Sequence, residues 1–386
     1  MRALTAPQYR VYADCCQGGR KYMEDCHCIA FQEKARSSPL SNDASDDRLQ
    51  YAFFGVFDGH GGKEAALFTK DNLLRNIVSQ RGFWSRDDHS ILSAIKHGFI
   101  ATHYAMMKEV SKWPKTSTGL PSTSGTTASV CFVMNNKYYI GHVGDSKIVL
   151  VKKRENTWIA MPLTDDHKPD SPLERERILN AGGKIVNKSG IERVVWNRPK
   201  CGHKGPIRRS THFDEIPFLA VARSLGDLWS YNSSRDIFIV SPEPDVSVVP
   251  ILPHEDKCIV LASDGLWNML MEQECALTLQ EIEENVDNYM FSNSLFNSET
   301  RAALNPSQAL VQFALQRWYS NNLRADNTSV IVVFLDNLQT GTSGNNHTDY
   351  ELWEEKLKNM SDEEFSALNW PTIVSASNVG EYLIDA

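Results

Sequence analysis

The chain of 386 residues lacks the cysteine patterns of disulfide-bonded and zinc-binding proteins. Its eight cysteines show no paired CxxC spacing, and Cys131 and Cys258 lie inside apolar runs. Buried free cysteine behaves as a small hydrophobe, so we expect reduced thiols in an intracellular protein. Cys26-His27-Cys28 could suggest zinc, but successive strand residues point to opposite faces, which disfavours joint ligation.

Long apolar segments and an excess of positive charge are also absent. No apolar run approaches transmembrane length. Residues 1–7 have no apolar signal core, and Arg2 stands where myristoylation needs glycine. We therefore expect no membrane partner and a nuclear or cytoplasmic location. A net charge of −8 argues against bulk nucleic-acid binding, so we expect no specific nucleic-acid partner, and we expect a monomer.

Acidic residues, by contrast, recur directly beside strand-like apolar runs. They form five short motifs: Glu24-Asp25, Asp58-Gly59-His60-Gly61-Gly62, Gly144-Asp145-Ser146, Ser263-Asp264-Gly265 and Asp326-Asn327-Thr328. One such turn is ordinary, because Asp bonds to its own backbone and Gly tolerates positive φ. Five strand ends that converge would form a carboxylate cluster, which stays ionised only when cations lie between its members. The pattern therefore predicts a carboxylate-bridged metal site.

Nine motifs occur in a recognisable order between residues 19 and 329. They are Gly19-Arg20 with Met23-Glu24-Asp25, Phe57-Asp58-Gly59-His60-Gly61-Gly62, Ser124-Gly125-Thr126-Thr127-Ala128, Val143-Gly144-Asp145-Ser146, Asp166-His167-Lys168-Pro169, Ala181-Gly182-Gly183, Ala222-Arg223-Ser224-Leu225-Gly226-Asp227, Ala262-Ser263-Asp264-Gly265-Leu266-Trp267 and Asp326-Asn327-Thr328-Ser329. In these motifs the chain resembles the metal-dependent serine/threonine protein phosphatases of type 2C. Five further stretches resemble the delta-type animal enzyme of that family, the DNA-damage-induced phosphatase that dampens stress signalling. They are Trp113-Pro114-Lys115-Thr116, Asn187-Lys188-Ser189-Gly190, Arg193-Val194-Val195-Trp196, Arg208-Arg209-Ser210-Thr211 and Gly226-Asp227-Leu228-Trp229-Ser230-Tyr231.

The resemblance implies two Mg²⁺ or Mn²⁺ ions, which carboxylate oxygens and water select over softer metals. Asp58 would bridge the ions and take part in catalysis by holding the water between them. Glu24 and the Gly59 carbonyl would complete one side of the centre, and Asp264 and Asp326 the other. A hydroxide bridging both ions would attack phosphorus directly, without a covalent phosphoenzyme.

A third, weaker ion is also implied by the resemblance, held by Asp145 together with Asp264. The chain departs here from many relatives, because Asn268 stands where an Asp often follows the Asp-Gly-x-Trp motif. A neutral amide supplies no charge, so we expect this third site to be weak or differently composed.

Other residues of these motifs are expected to bind substrate or to support the ligands. Arg20 would bind the phosphate oxygens through its fixed fork of donors. His60 would act as general acid on the leaving oxygen or, alternatively, orient a metal-bound water. Asp25 and Asn327 are expected behind the ligands rather than among them.

Two further motifs contain a serine or a histidine that we do not interpret as catalytic. Ser124 begins a strand with no base beside it, so we expect it to form structural hydrogen bonds. His167 lies in a turn closed by a proline, and we expect it to be structural as well.

Hydrophobic periodicity predicts an α+β fold. Strand-like runs cover residues 51–57, 128–134, 137–143, 147–151, 258–262 and 328–335, and helical spacing covers 63–80, 90–112, 172–180, 271–284 and 306–319. The resemblance implies two packed antiparallel β-sheets flanked by helix pairs, an αββα sandwich.

We expect one catalytic domain over residues 1–336 and an acidic, flexible tail over 337–386. Within the domain we expect a mobile loop at 33–49, a basic insertion at 184–209 and a poorly ordered polar insertion at 285–305.

The basic insertion is the predicted specificity element. Its cations, opposed within the segment only by Glu192, include Lys184, Lys188, Arg193, Arg198, Arg208 and Arg209. Such a segment could recognise phosphate flanked by acidic residues, contact nucleic acid, direct nuclear import or simply be a solvated loop. The resemblance to the delta-type enzyme favours substrate recognition.

The predicted function is hydrolysis of phosphoserine and phosphothreonine in protein substrates, reversing stress or DNA-damage kinase signalling. One alternative is a pseudophosphatase scaffold that binds phosphoproteins, which would require lost metal ligands, whereas all five expected positions are intact. A third hypothesis is a nucleic-acid-binding module, and only the basic insertion supports it.

Overall fold

The structure is a computed structural model that describes residues 8–33, 49–200, 202–203, 205, 208, 210–292, 305–336 and 382–384. The predictions for 34–48, for Arg209, for 293–304 and for most of the tail fall outside these residues. Among the helices that the structure describes, none combines the length and apolarity needed to span a membrane.

The described residues include nineteen strands. In chain order they are β1 Gln8–Cys16, β2 Cys26–Glu33, β3 Leu49–Phe57, β4 Gly59–His60, β5 Gly125–Thr126, β6 Ala128–Met134, β7 Lys137–Val143, β8 Lys147–Arg154, β9 Thr157–Pro162, β10 Ile185–Lys188, β11 Ile191–Pro199, β12 Phe213–Leu219, β13 Leu225–Gly226, β14 Tyr231–Asn232, β15 Ile237–Phe238, β16 Asp245–Pro250, β17 Asp256–Ala262, β18 Thr328–Asp336 and β19 Tyr382–Ile384.

Two antiparallel sheets form the centre of the fold. The first has the order β16-β7-β6-β3-β2 and the second β19-β1-β18-β17-β8-β9. Strands β6 and β7 are joined by Asn135 and Asn136, both with positive φ, as a two-residue hairpin turn requires.

The described residues also include six helices and three short 3₁₀ segments. The helices are α1 Glu64–Val78, α2 Asp88–Glu109, α3 Pro172–Asn180, α4 Asp264–Trp267, α5 Glu272–Ser292 and α6 Pro306–Ser320, and the 3₁₀ segments are Arg81–Trp84, Val110–Lys112 and Leu228–Ser230. Asp87 caps α2 by accepting from the Ser90 amide, and Asn305 caps α6 in the same way.

Three apolar layers hold the sandwich together. Helices α1 and α2 pack on the five-stranded sheet through residues such as Phe99 and Phe132. The two sheets meet through side chains that include Phe54 and Ile331. Helices α5 and α6 pack on the six-stranded sheet around Leu279 and Leu310. The expected αββα sandwich is confirmed, because each sheet buries one face on its partner and one on a helix pair.

A smaller unit, which we call the flap, adjoins the sandwich. It consists of α3 and the sheet β10-β11-β12, with a core of its own around Ile178 and Val194. Arg223 ties it to the sandwich by pairing with Glu174 of α3 and with Asp245 of β16.

The structure differs from the sequence-based expectation at two segments. Residues 285–292 continue helix α5, so the part of the polar insertion that the structure describes is helical. Residues 382–384 form β19 against the edge of β1, where the sequence predicted a flexible tail. An edge strand offers unpaired backbone groups, which a local propensity argument does not reveal.

Candidate functional site

Strand register brings the acidic motifs to one end of the sandwich. In the five-stranded sheet Cys26 pairs with Phe57, so Glu24 and Asp25 before β2 lie beside Asp58 after β3. In the six-stranded sheet Ala262 pairs with both Val330 and Lys147. Asp264 after β17 therefore lies between Asp326, which precedes β18, and Asp145, which precedes β8.

Asp58 is held by Thr127, the residue between strands β5 and β6. The Asp58 amide donates to Thr127 Oγ1 at 3.1 Å, and the Thr127 amide donates to the Asp58 carbonyl at 2.9 Å. The Thr127 hydroxyl also bonds to Ser146 Oγ at 2.7 Å. The Ser-Gly-Thr-Thr motif therefore fixes the backbone of Asp58 and leaves its carboxylate for the cluster.

The carboxylates repel one another strongly in the metal-free protein. Burial, followed by the charges of Asp25 and Asp264, raises the pKa of Asp58 well above its ordinary value. Burial and the charges of Asp145 and Asp326 raise the pKa of Asp264 to about 7. Burial also raises the pKa of Glu24. Crowded carboxylates of this kind ionise together only when positive charge is added.

Asp25 shows most directly that the cluster needs a further partner. It is buried, and among the described residues neither of its carboxylate oxygens has a hydrogen bond of ordinary geometry. Burial raises its pKa to about 6, in spite of the nearby Ser263, Asp58 and Ser329 side chains. A buried polar atom without a partner is costly, so this pocket fits a hydrated cation.

The donor set also fits the kind of cation that the sequence predicts. All candidate donors are oxygens, as Mg²⁺ and Mn²⁺ prefer. Among the described residues, no three His, Cys, Asp or Glu side chains converge closely enough to ligate one ion by themselves. Mg²⁺ keeps several water ligands and needs only one or two carboxylates, so the arrangement suits hydrated ions.

Asn327 ties the Arg20 loop to strand β18. Its amide nitrogen donates to the Gln17 and Tyr22 carbonyls at 2.8 and 3.1 Å, and its oxygen accepts from the Glu24 amide at 2.8 Å. The predicted supporting position of Asn327 agrees with these contacts. They order the loop in which Arg20 and Glu24 both lie.

Arg20 lies at the mouth of the cluster. Its guanidinium donates to Asp326 Oδ2 at 2.5 Å, while about half of its side chain, 53%, stays exposed. A cation that is anchored at one nitrogen and open to solvent can still present its other donors to a phosphate.

Asp145 has a positively charged neighbour that the sequence analysis did not assign. Lys168 Nζ donates to Asp145 Oδ2 at 2.6 Å. Burial lowers the pKa of Lys168, but Asp145 and Asp166 raise it further, so the ammonium is retained. Asn268 meanwhile donates to Asp264 Oδ2 at 2.9 Å. Lys168 thus supplies charge at the place where a third ion was expected.

His60 is paired with a second residue that the sequence analysis left unassigned. His60 Nε2 lies 2.6 Å from Oδ2 of Asp227, whose side chain is fully buried. Burial lowers the pKa of His60, but the Asp227 carboxylate, together with Asp145 and Glu24, raises it above its ordinary value. The pairing with Asp227 thus stabilises the protonated form, which is the form in which a general acid acts.

Glycine at position 125 makes this pair possible. A Cβ on Gly125 would lie 2.1 Å from Asp227 Oδ2 and 2.4 Å from His60 Nε2. Any larger residue there would separate the histidine from its carboxylate.

Asp227 and Lys168 both lie inside the nine ordered motifs, so the sequence could have indicated that they belong to the site. Gly226-Asp227 repeats the glycine–acid order of Gly144-Asp145, and Lys168 stands beside His167 in an otherwise assigned turn. Charge pairing across 167 and 23 positions, however, is decided by the fold.

The two motifs that the sequence analysis considered structural are so. Ser124 Oγ donates to the Gly62 carbonyl at 2.8 Å and accepts from the Ala65 amide at 3.0 Å. His167 is buried, accepts from the Gly144 amide and lies 3.1 Å from Asp245.

The described part of the basic insertion forms the hairpin β10-β11, which pairs with β12. Much of its charge is compensated. Lys184 pairs with Glu215, and Arg198 lies 3.7 Å from Asp214, both acids being on β12. Arg193 donates to a backbone carbonyl at 2.8 Å. These acids lie outside residues 184–209. A count of the charges within that segment alone therefore overestimated its net positive charge. Lys188 and Arg208 remain exposed.

Comparison with known proteins accords with this geometry. A family model described as Protein phosphatase 2C matches residues 9–318. The chain belongs to the protein phosphatase 2C family. It is 32% identical over 296 residues to "Protein phosphatase 2C homolog 2" of Aspergillus fumigatus, covering 74% of this chain and 59% of that protein. It is 34% identical over 233 residues to "Probable protein phosphatase 2C 11" of Arabidopsis thaliana, covering 60% and 51%. The chain thus spans about half to three-fifths of the length of these curated relatives.

The fold is shared with solved structures. The serine-threonine phosphatase 2C from Toxoplasma gondii superposes with a TM-score of 0.61 at 22% identity, covering 86% of this chain and 96% of that one. A C. elegans sex determining protein superposes with a TM-score of 0.58 at 23% identity, covering 84% and 64%. Protein phosphatase 2C architecture therefore extends over most of the chain.

The raised carboxylate pKa values predict how metal-free stability depends on pH. A carboxylate whose folded pKa exceeds its unfolded value of about 3.9 stabilises the fold below that value, and the contribution is lost as pH rises through the folded pKa. In EDTA, Asp264→Asn should therefore melt several degrees above wild type at pH 8, and this advantage should shrink steadily as the pH falls through about 7 toward 5.

Comparing the two proteins by thermal denaturation from pH 5 to 8 checks this prediction. The buried histidines titrate in both proteins, so their contribution cancels in the difference. A variant that is less stable than wild type throughout this range would show that Asp264 carries no repulsion.

Proposed function

We propose that the chain hydrolyses phosphoserine and phosphothreonine in protein substrates. The observation that carries this proposal is the set of mutually repelling carboxylates at one end of the sandwich, flanked by the half-exposed guanidinium of Arg20 and by the hydrogen-bonded pair His60–Asp227. Membership of the protein phosphatase 2C family supports it.

Two Mg²⁺ or Mn²⁺ ions are proposed to bind through Glu24, Asp58, the Gly59 carbonyl, Asp264 and Asp326. When bound, they supply the charge that turns a water molecule into hydroxide near neutral pH. Asp25 would accept hydrogen bonds from water at this centre, since its buried oxygens have no other partner of ordinary geometry among the described residues. Asp145 is proposed as a weak third site, in competition with Lys168.

The chain's own residues carry the remaining steps. Arg20 holds the phosphate oxygens with the donors that do not contact Asp326. As a water oxygen forms its bond to phosphorus, the bond to the serine or threonine oxygen breaks and its electron pair stays on that oxygen. The proton of His60 moves to this oxygen, so the protein substrate leaves as a neutral alcohol.

Nothing in the site supports the pseudophosphatase alternative, because each proposed ligand position keeps its oxygen donor. The narrower resemblance to the delta-type enzyme supports a role in reversing stress or DNA-damage kinase signalling. We propose this role together with a nuclear or cytoplasmic location, a monomeric state and a single catalytic domain over residues 1–336.

Replacing Asp264 tests the metal centre. Asp264→Asn should lower kcat for a phosphothreonine peptide by at least about 100-fold at ordinary Mg²⁺, because a charged ligand is lost while the fold is retained. Phosphate release with and without EDTA measures it. Asp170→Asn, an exposed position with the same charge change, is the matched control. Turnover equal to wild type in Asp264→Asn would refute the metal assignment.

Replacing Arg20 separates substrate binding from metal binding. Arg20→Ala should raise KM for the phosphopeptide about 10-fold or more, as expected for loss of a charge-assisted contact, and should weaken Mn²⁺ affinity less. Lys21→Ala, which removes the neighbouring exposed cation, should change neither. Titration calorimetry with Mn²⁺ beside steady-state kinetics distinguishes the two roles, and an unchanged KM would rule out phosphate binding by Arg20.

Neutralising the basic insertion tests substrate recognition. Arg208→Gln with Arg209→Gln should lower kcat/KM several-fold for phosphopeptides with acidic flanks and spare p-nitrophenyl phosphate, which has none. Salt should weaken the effect, since exposed charges are screened beyond about 8 Å. The control is Lys153→Gln with Arg154→Gln, two exposed cations at the end of β8 remote from Asp145.

Equal loss on both substrates would indicate a catalytic role for the insertion instead. Unchanged rates combined with a shift of the protein to the cytoplasm would indicate nuclear import. Either result would overturn the recognition proposal.

A further inference from the structure

The His60–Asp227 pair is itself held in place by donors from outside the metal centre. Asp227 Oδ2 accepts from Ser224 Oγ at 2.5 Å, and Asp227 Oδ1 accepts from the indole nitrogen of Trp229 at 2.7 Å. The Asp227 amide donates to the Ser124 carbonyl at 3.1 Å. Every oxygen of this buried carboxylate is thus engaged, so its orientation is fixed.

The backbone at Asp227 is strained in a way that these contacts explain. Its φ is +49°, in the left-handed region that costs a non-glycine residue free energy. The hydrogen bonds from Ser224 and Trp229 offset that cost only while the carboxylate faces His60.

Trp229 in turn packs against the flap. Its ring centroid lies 5.1 Å from that of Phe218 and 6.0 Å from that of Trp196, and these two rings lie 5.1 Å apart. We call Trp196, Phe218 and Trp229 the aromatic cluster. The Arg198 guanidinium lies 5.7 Å from the Trp196 ring, so the cluster reaches the basic hairpin.

A β-bulge directs the flap toward Trp229. Val194 pairs with Leu219 and Val195 with Pro217, which leaves Phe218 as the extra residue of β12. Bulges re-aim a side chain and recur beside active sites. The carbonyl of Phe218 is secured by Arg193 at 2.8 Å.

We propose that Trp229 is a positioning residue for His60, acting through its hydrogen bond to Asp227 and held in place by the aromatic cluster. A histidine whose Nε2 is held by Asp227 can offer only Nδ1 to the substrate oxygen, so the orientation of Asp227 decides where the proton is delivered. This proposal rests on the proposed function. It goes beyond that function by linking the flap to the protonation of the serine or threonine oxygen by His60.

The test compares two substrates that differ in their need for an acid. A phosphoserine peptide releases an alkoxide that must be protonated, whereas p-nitrophenyl phosphate releases a stable phenolate. Trp229→Phe keeps a ring in the aromatic cluster and removes the donor. It should lower kcat on the peptide about 10- to 100-fold, the usual cost of losing an orienting contact, with much smaller changes in peptide KM and in kcat on p-nitrophenyl phosphate.

Two further variants make the result specific. Trp84→Phe removes an indole nitrogen that donates to the Val78 carbonyl, remote from the site, and should alter neither substrate. Asp227→Asn should show the same selectivity for the peptide, and adding Trp229→Phe to it should cause little further loss, since both act on one contact. Thermal denaturation with and without Mg²⁺ establishes that each variant is folded and binds the ion.

The outcomes are distinguishable. If wild type releases no phosphate from either substrate with Mg²⁺ or Mn²⁺, the proposed function is wrong, and the role of Trp229 fails with it. If wild type is active, three results overturn the positioning proposal alone. Trp229→Phe could lower kcat equally on both substrates, it could leave kcat unchanged on both, or its effect on kcat could add fully to that of Asp227→Asn.

Discussion

Repulsion among buried carboxylates is the constraint on which the functional end of this protein depends. Asp25, Asp58 and Asp264 all have raised pKa values, because burial removes water and each carboxylate lies in the field of the others. Such a cluster opposes folding at neutral pH unless cations bind to it. The fold tolerates this cost because the sandwich behind the cluster buries three apolar layers.

The protein relieves this charge in two different ways. Along one side, Lys168 and Arg20 place permanent cations against Asp145 and Asp326. At Asp58, Asp264 and Asp25 the described residues provide no such partner at hydrogen-bonding distance, which leaves the centre for hydrated ions. His60 is paired with Asp227, which is not among the proposed metal ligands. The proposed metal binding and the proposed proton donation should therefore be separable by mutation.

The flap contacts the candidate site through packed aromatic rings. Its cations had seemed to act by their charge alone, yet several are paired with acids of β12 or with backbone carbonyls. What connects the flap to the site is the aromatic cluster, whose Trp229 bonds to Asp227. Packed aromatic rings have preferred geometries, whereas the interactions of exposed charges are screened by salt. Ring packing can therefore fix the position of Trp229 more precisely than surface charge could.

The sequence by itself predicted part of the secondary structure and the acidic members of the site. Continuous apolar runs predicted strands β6 and β7 with the observed bounds, because both faces of these strands are buried. Helical spacing that ends before Gly182-Gly183 predicted helix α3 with its observed bounds. The ordered motifs predicted the family and the acidic residues that gather at one end. Short strands such as β4 and β13, with two residues each, carry no periodic signal and escaped prediction.

Only the tertiary structure decided which charges meet. The pairing of His60 with Asp227, of Lys168 with Asp145, and of the flap cations with β12 joins residues that are distant or unpatterned in sequence. Ion pairing depends on distance and burial in three dimensions, and neither is encoded in local propensity. Residues of the same types could equally have been solvated surface charges. The strand register, the bulge in β12 and the close approach at Gly125 bring them together in one site.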